Sequence, residues 1–265
     1  MAWIYHNAEL GLISLSSDGE SWITIADKNL WATTVYNDGD TLSEANCGKY
    51  YQRGNNYGFP FTWSVTTSNS STSAWSYWPW NYYSSSTFIT AQPRDANKNN
   101  NLWWWTTWTN AAMQWPCPSG YHVPTQTERQ SLQDLWVSIG ALSLSNWTSF
   151  KIYLKMPFAG RRVYSSGNTA NQDTYGYYWS SMVTSVFNGI AYVLAASSAY
   201  IETYEAVSDW HSIRAFKNEP VVPDYNDTWT TLYWDELPDR PTPPLPQLKY
   251  FAFWWNKYWI WNIEL

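Results

Sequence analysis

The chain has 265 residues, of which 45% are hydrophobic and only 14% charged, and its formal net charge is −6. That is long enough for one large domain or two small ones, and apolar enough to build a real core. The acidic balance, with no cluster of Lys or Arg, excludes a partner recognised through its phosphate backbone, and the wealth of Ser, Thr, Asn and Gly suits strands and ordered loops better than a helical bundle.

The first residues, "MAWIYHNAELGLISL", lack the basic start and long apolar run of a signal peptide, and no stretch approaches the apolar length of a transmembrane segment. Residues 3–36 read as two or three short strands. "LGLISLSSDGESWITIAD" alternates Leu12, Ser14 and then Trp22, Thr24, with Ser-Asp-Gly between them as a hairpin signal. Residues 37–101 carry many turn signals ("NDGD", "RGNNYG", "SNSSTS", "ANKNNN") and little periodicity. Such a long loop-rich excursion is functional or else stapled by local packing. Trp103, Trp104, Trp105, Trp108 and Trp115 then crowd among asparagines and threonines, as an aromatic ligand platform would.

The clearest helix begins at Thr125, where Thr125 and Glu128 form a capping box that satisfies two free backbone N–H groups. Leu132, Leu135, Trp136 and Ile139 follow at helical spacing as one apolar stripe, and Gly140 marks the stop. A second helix is predicted over Ser145–Lys155, with Trp147, Phe150 and Leu154 on one face and Pro157 ending it. Both stripes read as core.

Beyond "MPFAG" (156–160) the pattern turns to strands: "YGYYWSS" (175–181), the alternating "IAYVLA" (190–195) and "HSIRAFKN" (211–218). Between the last two, "SSAYIETYEAVSD" reads as polar and irregular. Residues 238–246, "PDRPTPPLP", predict a polyproline-type linker. The closing "KYFAFWWNKYWIWNIEL" is aromatic but too short to span a membrane. It fits an edge strand, a membrane-interface segment, or a run not meant to be read this way.

The motifs "CPSGYHVPTQTERQSL" (117–132), "MPFAG", "YGYYWSS" and "SIRAFKN" (212–218) occur in that order. Together they resemble the Fibrobacter-succinogenes-type major paralogous domain, a variant of the C-type lectin fold. "WITIADKNLWATTVYNDGDTLSEANCGKYYQRGNNYGFPF" (22–61) is similar to one branch of it, the variable proteins of diversity-generating retroelements. The resemblance runs over roughly residues 4–233. It implies an α+β chain with mixed short antiparallel sheets, two helices and long ordered loops. The implied division is an N-terminal strand segment (1–21), the lectin-like domain (22–218), a Pro-rich linker (219–248) and an aromatic tail (249–265). A cell-surface or extracellular location is expected, although no signal peptide is visible.

Similar sequences carry glycine at the places of Trp31, Trp63, Trp104, Trp105, Trp108, Trp115 and Trp210. Some bacteria read the UGA codon as glycine, so several of these tryptophans are expected to be glycine in the source organism. A turn needing positive φ accepts Gly at little cost and a bulky residue poorly. Arg53 and Arg129 depart in the opposite sense, standing where the family pattern has Trp, and that puts stability in question.

In these retroelement proteins the last part of the domain is varied by adenine-directed mutagenesis, which reaches many residue types but not Trp, Lys, Glu, Gln or Met. Residues 186–209 hold few outside the reachable set: Glu202, Glu205 and, weakly, Leu194. Their polar-aromatic mixture resembles an antibody paratope, in which Tyr supplies contact area at low entropy cost. Phe187, Asn188, Ala191, Val193, Ala195, Ser198, Tyr200, Thr203, Tyr204 and Asp209 are the candidate contact residues; Ile190, Tyr192, Leu194, Ile213 and Phe216 read as core.

Other chemistry finds little support. Neither Cys47 nor Cys117 sits in a CxxC pair, and His6, His122 and His211 are too scattered for a metal cluster. No cofactor or metal is expected. Formylglycine-generating enzymes share the fold but need a closely arranged cysteine pair; Cys47 and Cys117 would more simply form a structural bridge. Glu-Pro-Asn and Gln-Pro-Asp sugar-binding sets are absent, and Glu219, Asp224 and Asp227 fall in a solvated linker. GxSxG, HExxH, Walker A and GxGxxG are absent too, so an enzyme is not expected. The expected function is non-enzymatic binding of a protein or surface-glycan ligand through a diversified face. The alternatives are an undiversified adhesin or carbohydrate-binding module of the same fold, or a surface protein that assembles through its aromatic C-terminus.

Overall fold

The computed structural model describes residues 3–62, 65–68, 86, 88–89, 116–138, 148–163, 165–183, 188–195, 199–206, 209–223 and 230–232. In chain order the elements are β1 (Trp3–Asn7), β2 (Leu12–Ser16), β3 (Ile23–Ala26), α1 (Glu44–Cys47), β4 (Tyr51–Gln52), β5 (Thr67–Ser68), β6 (Phe88–Ile89), β7 (Tyr121–His122), α2 (Gln126–Ser138), α3 (Thr148–Tyr153), β8 (Arg161–Arg162), β9 (Thr169–Ala170), β10 (Tyr175–Val183), β11 (Asn188–Ala195), β12 (Ala199–Ala206), β13 (Trp210–His211), β14 (Phe216–Lys217) and β15 (Thr230–Leu232). The chain is α+β. Its sheets are antiparallel apart from the short β5–β6 pair, and its helices are few.

The largest sheet has the order β15-β1-β2-β3-β14-β7. The hairpin expected at Ser-Asp-Gly forms, with Ile13 opposite Ile25 and Ser14 opposite Thr24. Asp18 closes its turn, accepting N–H bonds from Ser21 and Glu20 at 2.8 Å. Those bonds, with the Ser16 hydroxyl, hold its carboxyl well below the usual carboxylate range.

Alternation along β2 would leave Ser14 facing water, yet all five β2 residues are buried. The chain that follows β14 covers the polar face. Ser14 Oγ donates to the Val221 carbonyl at 2.8 Å, and the Val221 N–H donates to Thr24 Oγ1 at 2.8 Å. Further on, β15 extends the same sheet by pairing with β1, Ile4 opposite Leu232. The sheet thus runs across both boundaries expected at 21/22 and 218/219. β1, β2 and β15 supply one side of this sheet.

α2 starts where the capping box places it: the Thr125 N–H donates to Glu128 Oε2 at 2.8 Å and the Glu128 N–H to Thr125 Oγ1 at 3.1 Å. Leu132 and Trp136 are buried, with Leu135 packed alongside, and the stripe meets Ile4, Ile13, Leu15, Ile25, Phe158, Tyr178 and Phe216. Each such side chain contributes roughly 1.5–3 kcal/mol on burial. Ile139 and Gly140 lie outside the described residues, as do 145–147. α3 ends at Tyr153, short of the expected Lys155, because Lys155 takes a φ of 54° and ends the turn ahead of Pro157. Gly160 closes the "MPFAG" motif with a φ of 72°; a Cβ there would strike the Ala170 carbonyl of β9, so only glycine fits.

"HSIRAFKN" was expected as one strand. It is two short ones, β13 and β14, joined by the buried Ser212–Ala215. The break lets the chain leave the sheet β4-β13-β8-β9 and enter the largest sheet between β3 and β7.

Candidate functional site

Of the expected contact residues, Asn188, Ala191, Val193 and Ala195 lie on β11 and Tyr200, Thr203 and Tyr204 on β12. β10, β11 and β12 form their own antiparallel sheet, with β11 in the middle. The polar segment read as irregular is a strand: β12 runs eight residues, Ala199–Ala206. Its Tyr, Ile and Thr suit a strand, but an extra residue hides the period. Ala191 faces Glu202, whereas Gly189 faces Glu205, so β12 uses three steps where β11 uses two. Without that bulge Glu202 and Glu205 would fall on opposite faces of the ladder; with it they fall on the same one.

Register sorts the rest. Trp179 pairs with Ala191, Tyr177 with Val193 and Tyr175 with Ala195, while Val193 pairs with Tyr200. Residues opposite one another share a face, so Ala191, Val193, Ala195 and Tyr200 lie on one side of the ladder and Tyr192 and Leu194 on the other. Asn188 opposes Ala206, and Thr203 and Tyr204 lie at the bulge. Phe187 and Ser198 fall outside the described residues.

Asp209 is buried. It is 4% exposed, and its carboxylate pairs with Arg161 Nη1 at 3.2 Å. In this fold it tethers the chain rather than presenting a contact.

The sheet rises from a heavily braced base. β10 is hydrogen-bonded on its other side to Ser212, the Trp179 N–H donating to Ser212 O and the Ser212 N–H to Tyr177 O, both at 3.0 Å. Trp179 Nε1 donates to the Tyr51 carbonyl at 2.7 Å. His211 lies between Trp179 and Tyr177, with ring centroids 4.1 and 5.2 Å away. Burial, reinforced by the Arg161 charge, pushes its imidazole well below the ordinary histidine value. A neutral ring in an aromatic stack is a packing element.

Sequence reading found the role of neither Arg53 nor Arg129, the two positions where the resemblance implies Trp. Arg53 is buried and donates from Nη1 to Ser180 O at 2.9 Å and from Nη2 to Ser181 O. Burial brings its pKa down to about 9, so it stays charged at neutral pH. Arg129 donates to Arg214 O at 3.2 Å and lies 5.1 Å over the Phe216 ring. Guanidinium groups here take up backbone carbonyls. Charge-assisted bonds of this kind are worth about 1.5–3 kcal/mol each.

The tryptophan positions divide. Trp31 is 66% exposed with a φ of 65°. It is the third residue of a turn closed by the Ala32 N–H donating to Asn29 O at 2.9 Å, the place a type II turn reserves for Gly or Asn. Trp210 is a buried strand residue, so positive φ gives no reason for glycine there. Its ring centroid lies 3.6 Å from that of Phe59, well inside the usual spacing of about 4.5–7 Å, and a smaller residue would relieve the crowding. Trp63, Trp104, Trp105, Trp108 and Trp115 lie outside the described residues, as do 249–265.

Cys47 and Cys117 are both free and buried in separate clusters, so the expected bridge does not form. Burial pushes the Cys47 thiol up to about 12 and the Cys117 thiol higher, which leaves both as inert thiols. His122 is a structural residue: Nδ1 lies 2.9 Å from Asn218 Oδ1 and Nε2 2.9 Å from Glu128 Oε1, joining β7, α2 and the end of β14. Among the described residues no group of His, Cys, Asp and Glu could hold a metal ion, and no helix is long and apolar enough to cross a membrane. No family model, curated protein or solved structure matches the chain.

Proposed function

We propose that the chain is a non-enzymatic ligand-binding protein with a C-type lectin fold, and that the segment 186–209 carries a surface diversified by a retroelement. One observation carries the proposal: the candidate contacts that fall on described strands lie on the antiparallel pair β11–β12, which β10, braced on its other side by Ser212, holds in register. Diversification needs that division of labour. Side chains on the ribbon can change if the groups that set its backbone lie elsewhere.

The test is the surrounding DNA. A neighbouring reverse transcriptase and a template repeat that differs from this segment only at adenines are expected. If the neighbourhood lacks both, and glycan-array binding survives exchange of residues 186–209, the protein is an undiversified adhesin or carbohydrate-binding module.

We also propose that position 31 is glycine in the native protein, inserted at a UGA codon. The left-handed turn and the exposure of Trp31 support it. Tandem mass spectrometry of the native tryptic peptide reads the residue directly, and an indole mass at position 31 ends the proposal.

A further inference from the structure

We infer that the β11–β12 ribbon is clamped at both ends by two arginines, and that Asp209 is a positioning residue rather than a contact. At the outgoing end, the β10–β11 register slips between Trp179 and Val183. The slip takes the Ser180 and Ser181 carbonyls out of the ladder, and Arg53 accepts them as its partners by donating one N–H to each. The Ser181 N–H turns instead to Pro124 O at 2.8 Å. At the returning end, Asp209 pairs with Arg161 at 3.2 Å. Arg161 lies 4.9 Å over the Tyr177 ring, and Asn171 Nδ2 donates to the Tyr177 hydroxyl at 2.9 Å.

The two clamps share one foundation. Arg53 follows β4 directly and Arg161 begins β8, and these strands flank β13, Trp210 pairing with Gln52 on one side and Arg162 on the other. The ribbon therefore leaves and re-enters over a single three-strand base, gripped by one guanidinium on each flank. Contacts within the ribbon can vary while its exit and return stay fixed. The purpose of the clamp rests on the binding reading above, but its existence does not, and it is measurable with no ligand present.

Hydrogen exchange of the full-length chain tests it. In Asp209→Asn, amides of β11 and β12 should exchange about tenfold faster while those of β2 keep their rates, since loss of a partly buried ion pair opens the ribbon locally. Asp209→Glu, which keeps the charge, should restore protection, and so should the double reversal Arg161→Asp with Asp209→Arg. Unchanged ribbon exchange, or equal acceleration in β2, overturns the clamp. If Asp209→Asn yields no folded protein, the double reversal decides: recovery of fold and protection supports the clamp, and failure to recover overturns it. A preserved clamp beside a genome without a template repeat would sink the diversification reading alone.

Discussion

The sheet of β1–β3 under α2 and the base of the ribbon around β4, β8 and β13 are both buried, but different physics holds them. In the first, Ile13, Leu15, Ile25, Leu132 and Trp136 exclude water and need no directional partner. In the second, Arg53 and Arg162 are threaded among carbonyls: Arg53 donates to Ser180 O at 2.9 Å and to Ser181 O, and Arg162 to Gly167 O at 2.6 Å and Pro60 O at 2.9 Å. The difference teaches where irregular backbone can be kept. A sheet satisfies its own peptide groups, so its side chains can be apolar. Short strands and bulges leave carbonyls over, and a guanidinium with five donors gathers several at once.

Trp136→Ala should do most to break the contrast, costing about 3–5 kcal/mol in urea unfolding because it empties the packed side. Arg53→Met should cost about 2 kcal/mol by orphaning the Ser180 and Ser181 carbonyls. A neutral result there would mean that the base, too, is held by burial alone. Thr125→Ala should remove about 1 kcal/mol by opening the capping box, without touching the ribbon.

Glu128 sharpens the comparison through pH. Burial raises its pKa, but the hydrogen bond and charge from His122 and the bonds from Thr125 outweigh that, so the carboxyl titrates below its ordinary 4.5. A group whose folded pKa is lowered contributes stability that is complete above its unfolded pKa and is lost as pH falls through the folded one. Glu128→Gln should therefore flatten the fall in Tm on the acid side of 4.5, and an unaltered slope would remove Glu128 from the account. The smallest effect is expected at the surface. Trp31→Gly should raise stability by about 0.5 kcal/mol, the relief of a left-handed indole being partly offset by glycine's freedom in the unfolded chain.

Much of the packed side was legible in advance. Ser-Asp-Gly marked the hairpin, Thr125 and Glu128 marked the start of α2, and Leu132 and Trp136 marked its inner face. Each signal acts within a few residues, and local backbone chemistry decides it. The ribbon was legible only as candidate residues. β12 read as irregular because its extra residue shifts the period midway, and Asp209 read as a contact because its partner Arg161 lies 48 residues away. The cover over Ser14 comes from Val221, 207 residues on.

Sequence alone determined the strand and helix signals, the acidic, cation-poor character of the chain and the glycine-demanding turns, because these depend on φ, ψ and neighbouring side chains. Tertiary structure decided which polar groups were buried, which arginines became braces and where the ribbon was tied. Those outcomes depend on carbonyls and carboxylates brought together from distant parts of the chain, and no local pattern records which of them will meet.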